Sequence, residues 1–115
     1  MNARQKGARG EREFSSFLRD EGYEAIRGCQ NAGRDAKGQD APDVIHNVPG
    51  CHFEVKRTER LHLIKAIDQA AKDADGKVPI VAWRRNRWPW MAILHMKDLM
   101  EFIREWIPVN SKESK

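Results

Sequence analysis

The sequence predicts an α/β fold: a central mixed β-sheet flanked by helices, in the order α-β-β-β-α-β-β-α. Three observations carry this. Apolar residues recur at helical spacing in three separate stretches, 10–21, 61–75 and 97–107. Five short runs rich in Val, Ile, Ala and aromatic residues lie between them, each of strand length. Helical and strand patterns alternate along the chain instead of segregating, which calls for helices packed on a sheet. With 115 residues, one core is expected, in a single domain spanning 1–108.

The elements follow in order. Residues 1–9 are basic and contain glycine, and are expected to form a flexible arm leading into a helix from Gly10 to Glu21. Phe14, Phe17 and Leu18 mark that helix's apolar face, and Gly22 supplies its stop. Tyr23–Arg27 (YEAIR) alternates as a short strand. Gly28–Pro42 holds three glycines and almost no apolar side chain, so it reads as a loop. A loop of that length in so small a domain is expected to be functional or disordered. Asp43–Asn47 and Cys51–Lys56 read as strands joined by Val48, Pro49 and Gly50. From Leu61 to Asp75, Leu63, Ile64, Ile67, Ala70, Ala71 and Ala74 share one side of a helix that Gly76 ends. Val78–Trp83 and Trp90–Met96 are two further strands, with Asn86, Arg87 and Pro89 in the turn between them. The last helix places Leu99, Phe102, Ile103 and Trp106 inward, and residues 109–115 form a polar tail expected to be disordered.

Composition limits the function classes. Hydrophobic residues make up 40% and charged residues 33%, and no apolar run approaches the ~20 residues of a membrane span. The basic N-terminus lacks the apolar stretch of a secretory signal. Cys29 and Cys51 have neither zinc-site nor disulfide-framework spacing, so they read as free thiols in a reducing compartment, and a cytoplasmic location is expected. His46, His52, His62 and His95 show no ligand spacing and read as structural or exposed. The net charge of +4 suits a polyanionic partner without requiring one.

The stretch DVIHNVPGCHFEVK, Asp43 to Lys56, concentrates the chemistry. Side chains alternate along a strand, so Glu54 and Lys56 share a face while Phe53 and Val55 take the other. If residues 47–50 close an antiparallel hairpin, Asp43 falls opposite Glu54 on that same face. Two facing carboxylates repel unless a cation lies between them. A hard divalent ion, Mg²⁺ or Mn²⁺, satisfies this geometry: it takes one or two carboxylates together with water and phosphate oxygens, and it activates a bound water. A lysine two residues beyond a ligand can orient that water or neutralise charge developing on phosphorus. The competing reading is an ordinary cross-strand ion pair on an exposed sheet face.

Pro42–Asp43 followed by Glu54–Val55–Lys56 resembles the PD-(D/E)xK nuclease superfamily. KGARGERE at 6–13, the glycine-rich loop before PDVI, FEVKR at 53–57 and a helix carrying Gln69 narrow this: together they resemble the archaeal-type Holliday junction resolvases and their bacteriophage-encoded relatives, from about Lys6 to Phe102. The resemblance implies a restriction-endonuclease-like fold and a metal-dependent endonuclease acting on branched double-stranded DNA. It also implies a homodimer, which matches the two-fold symmetry of a junction nicked in opposing strands. By the resemblance, Asp43 and Glu54 are the principal metal ligands, the Val55 carbonyl and Glu11 are further ligands, and Lys56 serves the attacking water. Helical spacing alone places Glu11 and Glu13 on opposite flanks of the apolar face. The family pattern favours Glu11 and leaves Glu13 as a solvated residue. Where the family often has a serine before the loop glycine, this chain has Asn31, Ala32 and Gly33, so any role of that hydroxyl in substrate positioning is missing or falls to Asn31 or Gln30. Gln69, away from its helix's apolar face, is a secondary candidate.

Phosphate contacts are expected from Arg4, Lys6 and Arg9 in the arm, Arg34 and Lys37 in the loop, and Arg57 and Arg60 after the catalytic strand. WRRNRWPW (83–90) interleaves aromatics with arginines, either for nucleic acid or, for Trp83 and Trp90, for packing. The alternatives to a resolvase are another PD-(D/E)xK repair or restriction-type nuclease, a non-catalytic DNA-binding module of the same fold, and a basic structural or RNA-binding protein. The last leaves the Asp43/Glu54/Lys56 spacing unexplained.

Overall fold

The structure, a computed structural model, describes residues 3–28 and 44–106, with side chains from residue 7 onward. Its elements are α1 (Ala3–Asp20), β1 (Ala25–Arg27), β2 (Val44–His46), β3 (Cys51–Arg57), α2 (Leu63–Asp73), β4 (Val78–Arg84), β5 (Met91–Ile93) and α3 (Met96–Trp106). The expected order of helices and strands is present, and sheets flanked by helices form a restriction-endonuclease-like α/β fold. Among the described residues no helix is long and apolar enough to cross a membrane.

Helix α1 begins at Ala3, not at Gly10, so most of the segment expected as an arm continues the helix. Gly7 and Gly10 lower helix propensity there, but both lie inside the element, because α1 as a whole is held by packing. Its other end follows the sequence. Gly22 adopts φ 98°, its N–H donates to the Arg19 carbonyl at 3.0 Å, and the Tyr23 N–H donates to the Leu18 carbonyl at 3.0 Å. These two bonds satisfy the last carbonyls of the helix in a Schellman turn.

The strands form two hydrogen-bonded groups. β1 pairs antiparallel with β2, Arg27 opposite Val44, while β3 pairs parallel with β4 and β4 antiparallel with β5. The β3–α2–β4 unit is thus a parallel crossover, with α2 covering one face.

The expected β2–β3 hairpin ladder is not formed among the described residues, and the reason lies in the turn. The Asn47 N–H donates to the Glu24 carbonyl at 3.1 Å, while Asn47 Oδ1 accepts the Glu24 N–H at 2.9 Å. The Val48 N–H donates to His46 Nδ1 at 3.0 Å, and the Gly50 carbonyl accepts the Val78 N–H at 2.8 Å. The turn's polar groups are taken up by β1, by His46 and by the start of β4. β2 and β3 meet instead through side chains, with the His46 and Phe53 rings 4.9 Å apart.

The core lies on both faces of β4, as alternation requires. On one face Phe14 and Leu18 of α1 pack with Ala25, Val44 and Ala82, backed by Phe53, Val55 and Trp90. On the other, Ala66 and Ala70 of α2 close on Val81, backed by Leu61, Ile67, Trp83 and Ile93. Val81 and Ala70 have no exposed surface. The buried stripe is Ala66 and Ala70 of α2 and Ala74 at its C-cap, which is narrower than the expected face: Leu63 and Ala71 are exposed, and Ile64 is 71% exposed. Close approach of helix to sheet selects the smallest side chains and leaves the larger ones at the margin. The expectation for α3 is likewise corrected. None of its residues is buried; Leu99, Phe102 and Ile103 are half-buried, and Trp106 is 66% exposed, stacked on Phe102 at 5.2 Å. Trp83 and Trp90, expected in a hairpin or a subunit interface, are partly buried against the core, Trp90 edge-on to Phe14 at 5.0 Å. Cys51 is a buried free thiol whose pKa burial pushes up.

Candidate metal centre

Strand β3, CHFEVKR, owes its two characters to alternation. Phe53 and Val55 join the α1-side core. His52, Glu54 and Lys56 fall in register with Pro79, Val81 and Trp83, so they share the face that α2 covers. Glu54 is 7% exposed, a carboxylate largely stripped of water, and Lys56 Nζ stands 3.5 Å from its Oε2. A charge so buried needs opposite charge close by.

Asp73, at the end of α2, completes the arrangement. His52, Glu54 and Asp73 each offer a donor atom, all within 4.8 Å of one another. Mg²⁺ holds its donors at about 2.0–2.1 Å, so opposite donors lie roughly 4.2 Å apart and adjacent ones roughly 3 Å, and the three groups must draw together to share one ion. Gln69 Nε2 donates to Asp73 Oδ2 at 2.9 Å across one helical turn, so this secondary candidate touches the cluster through Asp73.

Glu11 enters from the α1 layer. It is 7% exposed, and Arg27 Nε donates to its Oε1 at 3.0 Å. Glu13 is not the solvated residue expected from helix spacing. Its carboxylate receives Arg57 Nε at 2.8 Å and Arg9 Nε at 3.0 Å, with Arg84 Nη1 at 3.5 Å. Partial burial alone would raise its pKa, but the hydrogen bonds and charges of Arg57 and Arg9 outweigh this and hold it below the usual carboxylate range. Arg57, expected as an open phosphate contact, is drawn inward onto Glu13, its side chain only 12% exposed. Arg60 is exposed, as expected.

Asp43, Asn31, Arg34 and Lys37 lie outside the described residues, as do the side chains of Arg4 and Lys6 and the tail 109–115. Val44, the neighbour of Asp43, opens β2 opposite Arg27. Sequence reasoning missed His52, Asp73 and Arg27. For His52 the signal was present: alternation from Glu54 and Lys56 puts it on their face. Asp73 needed the packing of α2 on β3, and Arg27 needed the pairing of Glu11, which a one-dimensional pattern does not carry.

The family model for archaeal Holliday junction resolvase (Hjc) matches residues 2–111. The chain belongs to this family. No curated protein and no solved structure matches it. Membership makes it a PD-(D/E)xK nuclease by family and supports a resolvase function on branched DNA. The buried Glu54 and its lysine neighbour stand at E-x-K spacing on β3.

Proposed function

We propose that the chain is a metal-dependent, structure-selective endodeoxyribonuclease that resolves four-way DNA junctions by paired phosphodiester hydrolysis. The carrying observation is Glu54: a carboxylate 7% exposed, 3.5 Å from Lys56 and grouped with His52 and Asp73, in a chain matched to the resolvase family over residues 2–111. The donor set of two carboxylates and an imidazole fits a divalent cation, and the imidazole suits Mn²⁺ at least as well as Mg²⁺. Bound there, such an ion would supply Lewis acidity toward a phosphate and a coordinated water. Glu54 holds the ion from a fixed, dry position. His52 and Asp73 complete the set from the described residues, and Gln69 orients Asp73. Asp43, Glu11 and the Val55 carbonyl are further ligands of this proposal, on the family pattern. Lys56 orients the attacking water and balances charge developing on the phosphate oxygens. Arg4, Lys6, Arg9, Arg34, Lys37, Arg57 and Arg60 supply salt-dependent affinity for the DNA backbone.

The enzyme acts as a homodimer in the cytoplasm, the host's if the chain is phage-encoded. Support for the dimer comes from α3 and its neighbours: Met91, Met96, Met100 and Trp106 are 42%, 65%, 41% and 66% exposed, an apolar surface that a second copy would cover.

The test is cleavage of a labelled synthetic four-way junction beside a linear duplex of matched sequence, with Mg²⁺, with Mn²⁺ and with EDTA. Metal-dependent, symmetrically paired nicks in the junction alone are expected. Equal cutting of both substrates would keep the nuclease and discard the resolvase. Tight junction binding without cutting would leave a binding module.

A further inference from the structure

Arg57 and Arg84 end the parallel strands β3 and β4 and are direct partners in register. Two guanidiniums side by side on one sheet face repel unless an anion lies between them. Glu13 is that anion: it receives Arg57 Nε at 2.8 Å, Arg84 Nη1 at 3.5 Å and, from its own helix, Arg9 Nε at 3.0 Å. One carboxylate among three guanidiniums leaves a local charge of two positive units and many more N–H donors than two oxygens accept.

The guanidiniums are also fixed from behind. Arg57 Nη2 donates to Asn86 Oδ1 at 2.9 Å, the Asn86 N–H donates to Glu59 Oε2 at 2.7 Å, and Arg84 Nε donates to the Trp88 carbonyl at 2.7 Å. Gly10 brings α1 in close: a Cβ placed there would lie 2.6 Å from Arg57 Cβ. The side chains open to solvent in order, Arg57 12% exposed, Arg84 34% and Arg9 54%, like a floor and two walls. The cluster begins one residue after Lys56, at the C-terminal rim of the parallel strand pair, where ligands of open α/β sheets gather.

We propose that Arg9, Arg57 and Arg84, aligned by Glu13, seat a DNA backbone phosphate at the C-terminal rim of β3 and β4, on the face of the sheet that α1 covers. Glu13 is a positioning residue, and Arg84 is the phosphate ligand within the WRRNRWPW stretch. This rests on the nuclease reading above, which supplies DNA as the anion. It also makes a prediction against simple electrostatics. Glu13→Gln removes a negative charge, so bulk charge alone predicts tighter DNA binding; the seat predicts weaker binding, because the three arginines lose the carboxylate that aligns them.

The experiment measures binding of a fluorescent four-way junction in EDTA by anisotropy, over a range of NaCl concentrations, for the wild type, Arg84→Ala, Glu13→Gln and the distant Lys65→Ala. Arg84→Ala should weaken binding about 5- to 10-fold and flatten the slope of log K against log salt by about 0.9, the value for one lost phosphate contact. Glu13→Gln should weaken binding several-fold. Thermal melts establish that each variant is folded, and Arg84, a third exposed, tolerates truncation should Glu13→Gln prove unstable. An unchanged slope for Arg84→Ala, or a loss equal to that of Lys65→Ala, overturns the seat while leaving wild-type cleavage intact. Failure of the wild type to bind any DNA overturns the nuclease reading and the seat with it.

Discussion

Replacing a helical glycine by alanine ordinarily stabilises a protein, and α1 offers that substitution at two positions with opposite expected signs. Gly7 has nothing within 4 Å of an added Cβ. Gly7→Ala should therefore gain close to the full propensity difference, about 1 kcal/mol. Gly10 faces Arg57, whose Cβ, Cγ and Cα would lie 2.6, 3.5 and 3.8 Å from the new methyl. Carbon atoms in contact prefer roughly 3.5–4.0 Å, so the overlap with Arg57 Cβ is about 1 Å. The obstructing atom is next to the backbone of β3, not the far end of a flexible chain, so α1 must move away from the sheet. Overpacking of this kind costs roughly 2–3 kcal/mol, and the propensity gain of about 1 kcal/mol offsets part of it. Gly10→Ala should then be destabilised by about 1–2 kcal/mol, a gap of about 2–3 kcal/mol from Gly7→Ala. For a domain of this size that gap is on the order of 10 °C in melting temperature. Urea unfolding of the two variants beside wild type measures it. Because α1 also carries Glu11 and Glu13, Gly10→Ala should lose junction cleavage below its melting temperature, whereas Gly7→Ala keeps it. Equal stability of the two variants would refute the close packing of α1 on β3.

Glu54→Gln should abolish metal-dependent cleavage and lower Mn²⁺ affinity measured by calorimetry, while junction binding in EDTA stays within about 2-fold; full cleavage by this variant would remove Glu54 from the centre. Ala70→Leu, at a position with no exposed surface against Val81, should cost about 1–3 kcal/mol in urea unfolding, and a neutral result would show slack between α2 and the sheet. Acid should destabilise the protein in two steps. Burial first, then the charges of Lys77 and His52, lower the His46 pKa, so its contribution is complete above the ordinary histidine value of about 6.5 and declines as pH falls below it. Glu13, held below the usual range, contributes fully above about 4.3 and is lost as pH falls through its lowered value. Thermal melts from pH 8 to 3 read both steps, and His46→Asn should erase the first alone. Met100→Glu should shift the protein toward monomer in sedimentation velocity and separate the paired nicks of a junction; an unchanged dimer would place the interface elsewhere.

Much of the site was legible because it obeys the two-residue period of a strand. Glu54 and Lys56 share a face in sequence and in structure, and the same period already pointed to His52. The hairpin that was to bring Asp43 opposite Glu54 was not legible. Its outcome turned on Asn47, whose side chain and backbone both bind Glu24 across the β1–β2 pair, a contact 23 residues distant in sequence. The rotation of α2 was also hidden, because its apolar face is wide. Which sector of such a face is buried depends on how closely the helix can approach the sheet, and Ala66, Ala70 and Ala74 allow what Leu63 and Ile64 do not. Glu13 was misread for a related reason: its three arginine partners come from α1, β3 and β4, and only the fold gathers them.

The two carboxylates of α1 show why so small a domain keeps charge in its interior. Desolvating Glu11 and Glu13 is costly, and apolar residues in their place would serve stability as well. What ion pairs add is position. Two residues apart at roughly 100° each, Glu11 and Glu13 leave the helix on flanks about 200° apart. One flank is tied to Arg27 at the end of β1, the other to Arg57 and Arg84 at the ends of β3 and β4. Held on both sides, α1 cannot roll, and the ends of three strands are drawn to one rim. Lys56 lies on that rim beside Arg57, and Val44, the residue following Asp43, lies opposite Arg27. On the proposed nuclease reading that rim is the edge along which a DNA backbone runs to reach Glu54, so loosening either flank should reduce cleavage more than it reduces stability.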